Sequence, residues 1–193
     1  MQATQFLMLL VFAGQVVSEE ALRPLVEFTG PEADKQWQAV NDRVMGGVSD
    51  GRFRITDEGR LEFFGRLSLE NNGGFASIRT RPANLGLRTG DTFVVRVRGD
   101  GRQYFLNLYT KSRRRAFSYR AALPTVRGQW TEVRVPLADF IPTAFGRRVQ
   151  GMGPVEPGEV NALGFMLSDK QPGPFELQVA WVKVIGPTDE PPR

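Results

Sequence analysis

The stretch from residue 41 to residue 49 carries the side chains best suited to binding a ligand. It reads Asn-Asp-Arg-Val-Met-Gly-Gly-Val-Ser, so it offers oxygen acceptors, a guanidinium fork and two adjacent glycines that permit close backbone approach. Its candidate binding residues are Asn41, Asp42, Arg43, Gly46, Gly47 and Ser49. The same residues also suit a loop whose polar groups cap one another, and residue types alone favour that structural role.

Three further polar segments add candidates for the same kind of site. The candidates are Asn71 and Asn72, then Arg98, Asp100, Arg102 and Tyr104, and finally Asp169 and Lys170. Each segment also has the composition of a turn between two strands. The Arg-Gly-Asp triplet at 98–100 is explained as a turn, because three residues are weak support for adhesion. The functional alternative for Asn71 and Asn72 is that their amides form part of a polar recognition rim.

The absence of two residue types limits the available catalytic chemistry. The sequence contains no His and no Cys, which excludes thiol nucleophiles, disulfides, Cys or His zinc sites and a Ser-His-Asp triad. Paired carboxylates could still hydrolyse glycosides, so a carboxylate-dependent hydrolase stays open as an unfavoured alternative. No nucleotide fingerprint occurs, and no cofactor is expected. Ca²⁺ ligands could come from the aspartates, but no EF-hand pattern supports them.

The charge balance favours an ordinary solvated surface. There are 25 Lys and Arg against 21 Asp and Glu, which gives a net charge of +4. The densest basic run, Lys-Ser-Arg-Arg-Arg at 111–115, lies between two strand-like segments and is interpreted as a hairpin tip. No nucleic-acid-binding motif accompanies it, so no nucleic-acid partner is expected.

Alternation of apolar and polar residues predicts an all-β domain. Phe93, Val95 and Val97 fall on one face of a strand, and many similar segments are separated by Gly-rich turns. We expect nine or ten strands and no long helix, hence a sandwich or barrel. Met45 and Phe75 are expected to plug the core rather than to contact a partner.

The N-terminal residues are typical of an export signal. Residues 6–13 are all apolar and residues 1–18 carry no charged side chain, although the usual basic residue near the start is missing. The run is too short to span a membrane. We expect a signal peptide at 1–18, one domain at 19–186 and a disordered tail at 187–193. The protein is then exported or periplasmic if the segment is cleaved, and cytoplasmic otherwise.

Several separate motifs, taken in order, resemble the CIA30 family, named after complex I intermediate-associated protein 30. The likeness covers about residues 26–185 and is carried by Trp37, the stretches 41–49, 63–65, 70–77 and 98–104, Trp130, and the stretches 135–137, 163–165, 168–170 and 173–175.

This resemblance implies a galactose-binding-domain-like β-sandwich, or jelly roll, and a non-enzymatic protein that binds assembly intermediates of respiratory complex I in a chaperone-like way. It implies a protein partner and supplies no catalytic residue. The expected partner is an assembly intermediate or, for an exported chain, an envelope protein. The alternative is a carbohydrate-binding module of the cell envelope, in which Tyr104, Tyr109, Tyr119 and Trp130 could stack on sugars.

Overall fold

Thirteen strands form two antiparallel sheets in the computed structural model, which describes residues 22–112 and 117–187. The strands are β1 (Arg23–Val26), β2 (Trp37–Ala39), β3 (Asp50–Ile55), β4 (Leu61–Leu67), β5 (Ala76–Thr80), β6 (Thr92–Gly99), β7 (Gln103–Thr110), β8 (Phe117–Pro124), β9 (Trp130–Pro136), β10 (Ile141–Ala144), β11 (Arg147–Arg148), β12 (Val160–Leu167) and β13 (Gly173–Ile185). The described helical turns are all short 3₁₀ segments, at Asp34–Gln36, Asp42–Met45, Glu70–Asn72, Leu137–Asp139 and Pro157–Glu159.

The first sheet is organised around the long strand β13. Its order is β3-β4-β13-β6-β9, and β1 also pairs with β13. Strand β4 pairs with the first half of β13, whereas β1 pairs with the second half along the same edge. Strand β6 pairs with β13 along the other edge.

The second sheet has seven strands in the order β11-β10-β8-β7-β12-β5-β2. Its register places Arg120 opposite Asn107, Asn107 opposite Gly164, and Gly164 opposite Arg79. These four residues therefore form one row across β8, β7, β12 and β5. The row faces away from the other sheet, because the alternate residues Leu106 and Leu108 are fully buried in the core.

The core lies between the two sheets and follows the alternation in the sequence. Phe93, Val95 and Val97 of the first sheet are fully buried, as are Tyr104, Leu106 and Leu108 of the second. Trp37 stacks on Phe165 with 5.9 Å between the ring centroids. Burial of so much apolar surface is the main stabilising contribution to such a domain.

The predicted fold class is confirmed, since the structure is a two-sheet antiparallel β-sandwich. The strand number is higher than the nine or ten expected, because β8, β10 and β11 have weaker alternation. The predicted signal peptide, residues 188–193 of the predicted tail and residues 113–115 of the basic run lie outside the described residues. Within the described ranges, no helix has the length and apolar character needed to cross a bilayer.

Candidate functional site

The candidate loops predicted from the sequence gather at one end of the sandwich. At this end β4 leads to β5, β6 leads to β7, and β12 leads to β13. The register supports this, because Leu167 at the end of β12 lies opposite both Ala76 and Tyr104, at the beginnings of β5 and β7. The sandwich therefore brings the 41–49, 70–75, 99–103 and 168–172 segments to the same region.

Asp42 joins two of these loops through a buried carboxylate. Its Oδ1 accepts a hydrogen bond of 3.0 Å from the backbone N–H of Ser49. Its Oδ2 accepts hydrogen bonds from the Ser49 hydroxyl at 2.5 Å, Gly74 N–H at 2.8 Å and Phe75 N–H at 3.3 Å. Asp42 and Ser49 are fully buried, so their polar groups form hydrogen bonds within the protein rather than with a ligand.

The neighbours of Asp42 have internal roles as well. A Cβ atom at Gly47 would overlap the Asp42 carboxyl group, so glycine is required there for close packing. Asn41 donates a 2.9 Å hydrogen bond to the Gly51 carbonyl and accepts one from Ser77 N–H. Asn41, Asp42, Gly47 and Ser49 therefore fix the shape of the loop.

The candidates at 100–104 and 169 form a second internal network. The Arg102 guanidinium donates to both carboxylate oxygens of Asp169, at 2.9 and 2.6 Å. Burial would raise the pKa of Asp169, but hydrogen bonds led by those from Arg102 outweigh it and hold this pKa below its ordinary value. Asp100 accepts hydrogen bonds from the Tyr104 hydroxyl at 3.1 Å and from Glu176 N–H at 3.0 Å.

The remaining predicted residues lie apart from these networks. Arg43, Asn71, Asn72 and Lys170 are exposed, and Gly46 ends the Asp42–Met45 turn with a φ of 92°. Arg98 lies on the other sheet, where its guanidinium is 5.4 Å from the centre of the Trp130 ring. The predicted site residues therefore fall into three groups in the structure. Some hold the loops in shape, some are exposed on the loops, and Arg98 lies on the first sheet.

A large cleft covers the outer face of the second sheet. It has a volume of about 1210 Å³ and reaches from the 44–45 and 69–75 loops to the β10–β11 hairpin. Of the residues predicted for the site, Asn72 and Lys170 line it. The cleft therefore adjoins the predicted loops, but most of its lining residues, on strands and loops alike, were not among the predicted site residues.

The floor of the cleft includes Arg79 and Arg120, whereas Asn107 and Gly164 are buried and do not line it. All four residues belong to the row that crosses β8, β7, β12 and β5. Arg120 and Arg79 stand at its two ends, about 14 Å apart by strand spacing, with Asn107 and Gly164 between them. A Cβ atom at Gly164 would overlap the Ile78 carbonyl, so the row has no side chain at this point. Asn107 is fully buried, and its Oδ1 has no hydrogen-bond partner.

Each floor arginine is held against an aromatic ring. The Arg120 guanidinium lies 3.9 Å from the centre of the Phe105 ring and donates a hydrogen bond to the Ser168 hydroxyl. The Arg79 guanidinium lies 5.4 Å from the centre of the Tyr109 ring. These contacts orient the two cations without neutralising them.

The cleft carries positive charge without matching negative charge. Its described lining includes five cationic side chains and no Asp or Glu; the cations are Arg79, Lys111, Arg120, Arg147 and Lys170. Lys111 has a distant pairing with Glu159, at 3.9 Å, whereas no ion pair involves the other four within the described ranges. Burial lowers the pKa of the Arg120 guanidinium, and raises the pKa of the Tyr109 hydroxyl, because water is removed from both.

The mouth of the cleft is apolar. Val44 is 72% exposed and Phe145 62% exposed, and Met45 and Leu69 are also exposed beside the cleft. These four are half of the eight large apolar side chains that are exposed in the described part of the chain. The expected core position of Met45 is wrong, because the Asp42–Met45 turn projects it outward, and half-buried Phe75 also lines the cleft.

Backbone strain is concentrated around the same cleft. The described non-glycine residues with positive φ are Asn71, Asn72, Phe145 and Lys170, and the last three line it. A bulky residue such as Phe145 rarely adopts a φ of 49°. Strained positions of this kind cluster at functional sites.

The aromatic residues considered for sugar stacking do not form one platform. Tyr104 and Tyr119 are buried in the core, while Trp130 lies on the first sheet beneath Arg60, Arg96 and Arg98. Tyr109 does line the cleft, but Arg79 lies over its ring.

Arg79 and Arg120 were not predicted from the sequence, because polar side chains on the outer face of a strand have the same pattern as an ordinary solvated surface. The available signal was in β7, where Phe105, Asn107 and Tyr109 alternate with Tyr104, Leu106 and Leu108. Large residues on both faces of a strand indicate that each face packs against other residues or contacts a ligand.

The architecture defines the class of the domain as a β-sandwich of the kind found in carbohydrate-binding modules. The family 11 module of the cellulosomal cellulase Lic26A-Cel5E from Clostridium thermocellum superposes with a TM-score of 0.64, covering 90% of this chain and 99% of that chain at 12% identity. A family 30 carbohydrate-binding module gives a TM-score of 0.54 at 13% identity. At these identities the likeness shows the fold alone.

Sequence comparison then gives the family. The profile of complex I intermediate-associated protein 30 (CIA30) matches residues 26–179, so the chain belongs to the CIA30 family. It is 28% identical to the mitochondrial complex I intermediate-associated protein 30 of Mus musculus, over 89% of this chain, and 26% identical to that of Drosophila melanogaster, over 81%. The chain spans 58% and 60% of the length of these two relatives.

No metal centre is indicated by the side chains that the structure describes. Among them, no three or more Asp or Glu residues are grouped so that they could hold a metal ion.

Proposed function

We propose that the protein is a non-enzymatic assembly factor that holds protein partners in the cleft of the second sheet. Its family relatives are named as complex I intermediate-associated proteins, which supports a partner that is an assembly intermediate. The observation that carries the proposal is the apolar mouth formed by Val44, Met45, Leu69 and Phe145. Exposed apolar side chains clustered at a concave surface are typical of protein-binding sites.

A chaperone-like action follows from the same surface. An assembly intermediate exposes apolar side chains that its finished complex will bury, and an apolar mouth can cover them transiently. Met45 suits this task because its flexible side chain adapts to different shapes. The described cleft lining has no carboxylate for acid–base chemistry, which supports a binding role.

The experiment is complementation in a strain that lacks the gene, with assembled complex I measured by native electrophoresis. The wild-type protein and the Val126→Ser control, whose exposed residue lies outside the cleft, should restore assembly. A folded variant with Met45→Ser and Phe145→Ser should leave intermediates to accumulate. Full restoration by that variant would contradict the role of the cleft, and unchanged complex I in the deletion strain would contradict the assembly role.

We also propose that residues 1–18 are a cleaved export signal, on the basis of the apolar run at 6–13. The relatives are named as mitochondrial, so an exported protein would work in a different compartment. Mass spectrometry of the mature N-terminus tests this. A first residue of Glu19 supports export and weakens the proposed complex I role, whereas an intact N-terminal segment contradicts export and favours that role.

A further inference from the structure

We propose that the cleft of the second sheet recognises an acidic segment of its protein partner, with Arg79 and Arg120 binding the carboxylates. This inference rests on the proposed function and adds the chemistry of the ligand. It is carried by the arrangement of charge, hydrogen-bonding groups and apolar surface in the cleft.

The charge of the two floor arginines is uncompensated, since no Asp or Glu is among the described lining residues of the cleft. Arg120 is partly buried between Phe105, Met166 and Ser168, and no carboxylate of the described chain pairs with it. A guanidinium removed from water without an anion is unfavourable, and a bound carboxylate relieves this through strong, often bidentate hydrogen bonds. The protein itself shows that geometry in the pair between Arg102 and Asp169.

The row between the two arginines places no competing anion or exposed side chain between them. Gly164 has no side chain, because a Cβ atom there would overlap the Ile78 carbonyl, and Asn107 is fully buried. Arg79 and Arg120 are therefore the members of the row that line the cleft. A polypeptide with acidic side chains supplies the carboxylates that these two arginines lack.

The positions of the aromatic rings favour a peptide over an acidic sugar as the ligand. Sugar binding uses exposed aromatic faces, whereas the guanidinium groups of Arg79 and Arg120 lie over the rings of Tyr109 and Phe105. The uncovered apolar surface is instead at the mouth, where Val44, Met45, Leu69 and Phe145 can pack against apolar side chains. A segment that alternates acidic and apolar residues matches both the floor and the mouth.

The test uses the full mature chain and two fluorescein-labelled, C-amidated peptides in an anisotropy titration. One peptide alternates Glu with Leu and Phe, and the other has every Glu replaced by Gln. The acidic peptide should bind at least about tenfold more tightly, and added salt should reduce the difference. Equal binding of the two peptides would overturn the inference.

Variants of the two arginines assign the binding to the cleft. Arg79→Gln and Arg120→Gln should each weaken acidic-peptide binding by about tenfold, with no comparable effect on the Gln peptide. Arg98→Gln removes the same charge from the opposite sheet and should leave binding unchanged. An equal loss in all three variants would indicate non-specific attraction and would overturn the inference.

Two further measurements keep the result interpretable. If Arg120→Gln does not fold by circular dichroism, Arg79→Gln and Arg120→Lys replace it, and Arg120→Lys should bind with intermediate strength because it keeps charge without the planar fork. Tetragalacturonate and inorganic phosphate are titrated as competitors. Displacement of the labelled acidic peptide by its unlabelled form, but not by these two probes, supports the inference. Binding of tetragalacturonate without binding of the acidic peptide overturns it.

Failure here can be distinguished from failure of the proposed function. If the Gln peptide binds as well as the acidic one and the Met45→Ser, Phe145→Ser variant still loses assembly activity, the acidic preference is wrong while the cleft keeps its role.

Discussion

At the scale of single residues, the motif that is most distinctive in the sequence has a structural role. Asp42 accepts four hydrogen bonds from Ser49, Gly74 and Phe75 and thereby fixes two loops to each other. These loops carry Val44, Met45 and Leu69 to the mouth of the cleft. In the proposed function, the polar residues of the motif therefore have an indirect role, because they position its apolar neighbours.

Replacing Asp42 should destabilise the protein strongly. Asp42→Ala leaves buried N–H groups of Ser49, Gly74 and Phe75 without an acceptor, so we expect the free energy of unfolding to fall by about 3 kcal/mol or more. Asp57→Ala, at an exposed position, should change it by less than about 0.5 kcal/mol. Urea denaturation measures both, and equal small effects would contradict the structural role.

The Arg102–Asp169 pair should make the free energy of unfolding depend on pH in the acidic range. The pKa of the Asp169 carboxyl in the folded protein is below the ordinary value of 3.8, so its contribution is present at neutral pH and is lost as the pH falls through the folded pKa. Urea midpoints measured from about pH 6 to pH 2 should show this loss in the wild type. In Asp169→Asn the corresponding part of the slope should disappear, and an unchanged slope would contradict the assignment.

At the scale of elements, the turn of the β10–β11 hairpin contains a residue type that is unfavourable for its backbone geometry. Phe145 and Gly146 form a two-residue turn with φ values of 49° and 73°, a geometry that favours Asn-Gly over Phe-Gly. The exposed phenyl ring therefore has no advantage for the turn itself. Its position at the mouth of the cleft matches the binding role that we propose for this surface.

Phe145→Asn should separate stability from function. The free energy of unfolding should rise by about 1 kcal/mol, because Asn tolerates the left-handed conformation that is unfavourable for Phe. The same variant should restore complex I assembly poorly in the deletion strain. A variant that is less stable, or that assembles complex I as well as the wild type, would contradict this account of the turn.

The extent to which the sequence predicts these elements depends on the range of the interactions involved. Alternation at Phe93, Val95 and Val97 and at Tyr104, Leu106 and Leu108 identifies buried faces, because strand periodicity is local. Arg79 and Arg120 are 41 positions apart, and only the pairing of four strands puts them in one row. Local patterns carry no information on such pairing, so the fold class was predictable and the cleft was not.

At the scale of the whole molecule, the two sheets have different outer surfaces. Some cations on the first sheet are paired with acids, as in the pairs of Arg54 with Glu62 and Arg96 with Glu132. The cleft of the second sheet has five cations and no acid among its described lining residues. The modest net charge of +4 conceals this asymmetry. A partner with an acidic segment would be attracted to one side of the molecule.

The most direct test is photo-crosslinking in living cells from defined positions. Phe145→p-benzoylphenylalanine at the mouth of the cleft is compared with Val126→p-benzoylphenylalanine, at an exposed apolar position outside it. We expect position 145 to give a discrete adduct with a subunit of a complex I assembly intermediate, weakened by Arg79→Gln, and position 126 to give no such adduct. Equal adducts from both positions, or none from position 145, would contradict this expectation.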